Sequence, residues 1–272
     1  MTPEPAALRF ENVFVAFEGE EVLHSVSFAV PAGETRILFG AAGSGKTVAL
    51  KTALGLVTPD SGRVYVFGQD ISRLPERELF DVRSKIGMLF QESALFDSLT
   101  IEENVAYPLL NQKSIRCGPE ECRRRVREAL RFVELEHTLE KFPSELSGGM
   151  RRRVAIARAV VTGPPLLLYD SPTAGLDPIT ANTIITLIVK QRDLSNTTTL
   201  IVTHRYQNGN LLANYRYEPQ TGRLLRTNGA GRRTAATRFL GFKDGRLILD
   251  ATQDELDAST DPYVSKFVKH NG

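Results

Sequence analysis

The 272 residues carry a formal net charge of +2, with 42% hydrophobic and 24% charged side chains. That balance suits one large α/β domain with a substantial core and gives no reason to expect nucleic acid or an acidic surface as a partner. No run reaches the roughly 18 uninterrupted apolar residues of a membrane helix, and the start, M-T-P-E-P-A-A-L-R-F, lacks the basic-then-apolar pattern of a signal peptide, so a cytoplasmic chain is expected.

Two early runs, L-R-F-E-N-V-F-V-A-F and H-S-V-S-F-A-V, alternate apolar and polar residues like antiparallel strands. T-R-I-L-F-G then reads as a buried strand that passes through A-A-G-S-G-K-T into a helix. K-I-G-M-L-F-Q, P-L-L-L-Y-D and T-L-I-V-T-H are apolar on both faces, as strands of a helix-covered parallel sheet must be. Residues 101–110 read as a helix, and 119–161 as a charged helical stretch whose basic run, 121–131, forms a solvated face. C-G-P-E-E-C, holding Cys117 and Cys122, matches neither a redox C-x-x-C nor a zinc site, so reduced thiols are expected. His24, His137, His204 and His270 are too scattered for a local metal cluster. After His204, N-Y-R-Y-E-P-Q-T-G-R-L-L-R reads as a hairpin turning at 219–222. N-G-A-G-R-R-T-A-A reads as a flexible loop, and T-R-F-L-G-F-K-D-G-R-L-I-L-D-A as a hairpin turning at Asp244-Gly245.

Residues 40–47, G-A-A-G-S-G-K-T, fit a phosphate-binding loop, and they sit between a buried strand and a helix, where such a loop works. Gly43 and Gly45 let backbone N–H groups curl around phosphates, while Lys46 adds a point charge and the helix N-terminus its dipole. Gly40, Ala41, Ala42, Ser44 and Val48 complete the expected ATP-binding set. The Thr47 hydroxyl can sit on Mg²⁺. Asp170, ending L-L-L-Y-D, can hold the same ion from the opposite side, directly or through water.

Residues 146–150 read L-S-G-G-M and precede R-R-R-V-A-I-A-R-A. Ser147, Gly148 and Gly149 would make a second anion-binding helix N-terminus, although S-G-G before a helix can also be a plain cap. Beside the phosphate loop and Asp170, this motif resembles the signature of ABC ATPases, usually L-S-G-G-Q. The resemblance spans about residues 8–270. It implies an α/β P-loop NTPase of the ABC type, with a mostly parallel core sheet and an N-terminal antiparallel β subdomain. A helical subdomain falls at about 92–162 and an atypical hairpin and loop insert at about 206–236. It further implies a head-to-tail dimer, in which each signature closes on the other subunit's ATP, beneath transmembrane permease subunits on the cytoplasmic face of the inner membrane. By the same resemblance Gln91 touches Mg²⁺ and the attacking water, Asp177 crosses the dimer interface and His204 contacts the γ-phosphate. Phe17 takes the place of the aromatic that stacks on adenine, where a core phenylalanine would read the same way. M-L-F-Q-E-S-A-L-F-D-S-L-T-I-E-E-N-V-A-Y-P-L, the Met of L-S-G-G-M, G-L-D-P-I-T and D-P-Y-V-S-K-F resemble the Mla/Mce-type lipid-transport ATPases.

Two features depart from that family. Ser171 stands where a glutamate normally polarises the attacking water, and loss of a general base costs about 10²–10⁴ in rate. A serine hydroxyl can hold a water but cannot take its proton at neutral pH. Three readings stay open: slow hydrolysis with His204 and Gln91 positioning the water, an acid supplied by a partner, or an ATP-operated clamp. In the insert, Arg223, Arg226, Arg232, Arg233 and Arg238 could meet anionic headgroups or a partner, or could cover a solvated hairpin. A soluble ABC protein of translation or DNA repair would usually carry a second ATPase domain or a long coiled-coil insert, and neither is visible.

Overall fold

The computed structural model describes residues 6–112, 115–227 and 236–269. The alternating start forms β1 (Ala6–Phe17) and β2 (Glu20–Pro31), paired antiparallel, with Phe10 and Phe28 stacked at 4.7 Å. β3 (Thr35–Phe39), buried at every position, leads into α1 (Lys46–Ala53). β4 (Ser61–Val66) and β5 (Gln69–Asp70) return to the first hairpin and complete an antiparallel sheet ordered β2-β1-β4-β5. α2 (Glu76–Arg83) and β6 (Ile86–Leu89) follow.

The helical region opens with α3 (Ile101–Asn111), started by a Thr100–Glu103 capping box. α4 (Pro119–Phe132) exposes the basic run, which is laced by Glu121 ion pairs to Arg124 and Arg125. Two short 3₁₀ turns, Glu136–Thr138 and Pro143–Glu145, separate it from α5 (Gly148–Val160). β7 (Leu166–Asp170), α6 (Pro178–Ser195), β8 (Thr198–Val202) and α7 (Tyr206–Asn214) come next. The chain ends in the hairpins β9 (Tyr215–Glu218) with β10 (Arg223–Arg226) and β11 (Thr237–Lys243) with β12 (Arg246–Ala251), then α8 (Gln253–Asp257) and α9 (Pro262–Lys269).

The central sheet runs β12-β11-β3-β8-β7-β6, parallel except at the β12 edge. Its strands divide their side chains by the two-residue period. Ile37, Phe39, Leu167, Tyr169 and Ile201 join the core beneath α3–α6, while Leu38, Leu166, Leu168, Leu200 and Val202 join the core shared with α1 and the antiparallel sheet. Burial on both faces explains the apolar runs of β3, β7 and β8, which polar residues enter only at the strand ends. This is the α/β arrangement expected above, a mostly parallel core sheet with an N-terminal antiparallel sheet beside it.

Three expectations change. Residues 206–214 form helix α7 rather than hairpin or loop. Gly209 weakens the helical signal, yet a side chain there would press within 2.7 Å of the Phe239 ring, so the glycine serves the packing of α7 on β11. β11 is itself a core strand beside β3, and its Arg238 is committed to an ion pair with Asp250 at 2.5 Å rather than offered to a headgroup. Arg232 and Arg233 lie outside the described residues. Cys117 and Cys122 are joined as a disulfide rather than kept as free thiols, because the first turn of α4 carries Cys122 back beside the preceding loop, with Cα atoms 5.6 Å apart.

Candidate nucleotide site

Everything needed for a phosphate cradle converges at the C-terminal end of β3. α1 has Gly45 at its N-cap and no side-chain cap, so its first N–H groups are left for a ligand. Lys46 folds back over the loop and donates to the Gly40 and Ala41 carbonyl oxygens at 2.9 and 2.6 Å and to Ser44 Oγ at 2.9 Å. Burial pushes its ammonium below the usual lysine range, partly offset by Asp170. A desolvated cation ringed by carbonyls is poised to exchange them for phosphate oxygens.

Asp170 closes β7 and is buried, with its Oδ1 3.3 Å from both Thr47 Oγ1 and Ser171 Oγ. A hydroxyl and a carboxylate facing each other beside an anion cradle suit a hard divalent cation such as Mg²⁺. The phosphate loop, Val22, Gln91, Ser171 and His204 wall a cavity of about 390 Å³. Burial holds His204 below the ordinary histidine pKa, and the nearby Arg205 and Lys46 cations push the same way. Ser171 has a left-handed backbone, φ 46°, and donates its N–H to the Val202 carbonyl at 3.1 Å.

The signature residues lie elsewhere. Gln91, Gly148, Arg152, Ala174 and Gly175 share a second cavity of about 400 Å³, so Gln91 stands on the wall of both. Ser147 caps its own helix, accepting from the Met150 N–H at 3.2 Å. A side chain on Gly149 would sit 2.5 Å from Thr180 Cγ2, which makes this glycine a close-packing position against α6. Asp177 caps α6 by accepting from the Ile179 and Thr180 N–H groups, and hydrogen bonding from the Thr180 side chain, joined by these backbone bonds, lowers its pKa. Phe17 sits at the tip of β1, 46% exposed.

Two contacts had no signal in the motifs. Val22 reaches the cavity wall from β2. Tyr263, quoted above only within D-P-Y-V-S-K-F, brings α9 to the phosphate loop. Its hydroxyl accepts from the Ala41 N–H at 2.8 Å and donates to the Phe242 carbonyl at 2.7 Å.

A family model described as ABC transporter matches residues 23–174. The chain belongs to the ABC transporter family. Among its ABC relatives, the probable ribonucleotide transport ATP-binding protein mkl of Mycobacterium leprae is 37% identical over 202 residues, which is 74% of this chain and 58% of that protein. The chain therefore spans little more than half the length of that relative. The intermembrane phospholipid transport system ATP-binding protein MlaF of Haemophilus influenzae is 34% identical over 253 residues, 92% of this chain and 86% of that one. A dimeric post-hydrolysis structure of the ATP-binding cassette MJ0796, bound to ADP and Pi, matches with a TM-score of 0.74 and 31% identity over 90% of this chain and 98% of that one.

Proposed function

We propose that this chain is the ATP-binding and ATP-hydrolysing subunit of an ABC transporter, acting as a dimer in which each P-loop faces the partner's signature helix. The observation that carries the reading is the uncapped α1 N-terminus with Lys46 folded over it, beside the Thr47–Asp170 pair. The N–H groups of α1 and Lys46 would grip the β- and γ-phosphates. Thr47 and Asp170 would hold Mg²⁺, which supplies charge neutralisation when bound. Gln91 and His204, facing the same cavity, would position the attacking water, and Ser171 would hold it by a hydrogen bond. Phosphoryl transfer rests mainly on positioning and charge stabilisation, so turnover without the usual glutamate is slow rather than absent. The open signature cavity beside Gly148 supports a dimer, because one chain already has its own phosphate grip.

Similarity to MlaF over nearly the whole chain, together with the stretch around Gln91, supports lipid as the cargo. The permease would dock around residues 94–107, where Phe96, Tyr107, Pro108 and Arg158 line a groove of about 410 Å³. Among the described residues no helix is long and apolar enough to cross a membrane, in keeping with a subunit held on the cytoplasmic face by such a permease. A second reading, an ATP-gated clamp with little hydrolysis, is favoured by Ser171.

Mg²⁺-dependent phosphate release, measured with and without the permease, separates the two. Clear turnover that Lys46→Ala abolishes, with a rise of about tenfold or more in Ser171→Glu, is the expected result. ATP binding without native turnover, rescued by Ser171→Glu, would leave the clamp.

A further inference from the structure

Arg152 occupies the second turn of α5, the helix that begins at the signature, and is only 6% exposed. Nη1 donates to the Phe90 carbonyl at 3.2 Å, immediately before Gln91. Nη2 donates to the Ala174 carbonyl at 3.5 Å, in the loop that runs from Asp170 to Asp177. Among the described residues Nε has no hydrogen-bond partner. Burial works against the charge, while Asp170 and Glu92 support it. A buried guanidinium with two long bonds and a spare donor is costly if it serves packing alone, because an apolar side chain would fill the space without the desolvation penalty.

Its neighbours repeat the arrangement. Arg158, one and a half turns further along α5, donates to the Ser93 carbonyl at 2.9 Å. Gln91 and Glu92 are thus pinned to α5 from both sides, through a loop that turns sharply at Ser93 and Ala94, with φ of 68° and 49°. Arg205, next to His204, donates to the Leu176 carbonyl at 3.4 Å. The loop ahead of Asp177 is therefore held once from the signature helix, by Arg152, and once by Arg205, the residue that follows His204.

We propose that Arg152 is a positioning residue that transmits the state of one nucleotide site to the other. The proposal rests on the dimeric ATPase reading above. Gln91 and Asp170 belong to the chain's own site, whereas the N-terminus of α5 is what the chain presents to the partner's nucleotide. A shift of Gln91 or of the 174–176 loop moves the carbonyls that Arg152 holds, and so moves the grip offered across the dimer. The spare Nε donor gives the guanidinium a place to go, since it can gain one partner as it loosens another.

The test compares Arg152→Gln and Arg152→Lys with the native chain and Lys46→Ala. Fluorescent-ATP affinity, thermal stability and phosphate release against ATP concentration are measured for each. Arg152→Gln is expected to bind ATP within about twofold of native, lose about tenfold or more in kcat, and drop from a Hill coefficient near 2 to near 1. Arg152→Lys keeps the buried charge but reaches one carbonyl at a time, and should fall between. It carries the test if Arg152→Gln does not fold. Native kcat and cooperativity in the variants, a loss of ATP affinity parallel to kcat, or a native Hill coefficient of one would each overturn the proposal. Equal inactivity of native and Lys46→Ala protein would instead sink the hydrolysis reading. The coupling is then read from ATP-driven dimerisation by sedimentation, where an unchanged ATP requirement in Arg152→Gln counts against it.

Discussion

A methyl group at position 40 would collide with the Phe242 carbonyl oxygen, and Gly40 already holds a φ of 149° that other residues rarely adopt. Gly40→Ala is therefore expected to cost about 1–3 kcal/mol and to weaken ATP binding, both readable in a thermal melt with and without nucleotide. His204 makes a different prediction. Its folded pKa lies below the ordinary 6.5, so as pH falls through that value the unfolded chain takes up the proton first. Stability should thus decline with acidification below about pH 6.5 and level off beneath the folded pKa. His204→Gln should flatten that part of a Tm–pH curve, and an unchanged slope would assign the acid sensitivity to other groups. At this scale the site was largely legible. Lys46, Thr47 and Asp170 declare themselves by residue type and spacing, and they converge. Val22 and Tyr263 do not, because a valine on a strand and a tyrosine near the end of a chain carry no chemistry until the fold brings them to the phosphate loop.

Elements depend on contacts that few motifs announce. Arg192 on α6 is almost fully buried, ion-paired to Asp193 at 2.7 Å, and it donates to the Leu212 and Tyr215 carbonyls. Asp193 in turn accepts from the Tyr217 N–H at 2.7 Å. One guanidinium thus fastens α7 and β9 to α6. Arg192→Ala would strand two carbonyls and a carboxylate, costing about 3–5 kcal/mol in chemical denaturation while leaving ATP affinity in the surviving folded fraction unchanged. α9 offers a smaller test. Tyr263→Phe removes the hydroxyl shared by Ala41 and Phe242, and should cost about 1 kcal/mol and shift the ATP concentration for half-saturation. Strands β3, β7 and β8 were readable because burial on both faces forces an apolar run. Helix α7 was not, because its polar N-G-N segment obeys contacts with β11 rather than local propensity. The Cys117–Cys122 bridge was equally hidden, since the cysteine spacing says nothing of how the loop folds back on α4.

Over the whole molecule, order along the chain and order in space diverge most at the central sheet. β3 carries the phosphate loop, yet its two neighbours are β8 and β11, both from the last third of the chain. A ribosome releases the nucleotide loop long before it makes the strands that flank it. Until Thr198–Val202 and Thr237–Lys243 emerge, β3 presents two open edges of unpaired backbone N–H and C=O groups, the kind of surface that recruits other strands. A chain cut short before β11 also lacks the Phe242 carbonyl against which Gly40 is packed. Its fate should be aggregation or capture by chaperones rather than weak ATP binding, so both flanking strands must be made before the cell gains anything that can respond to ATP.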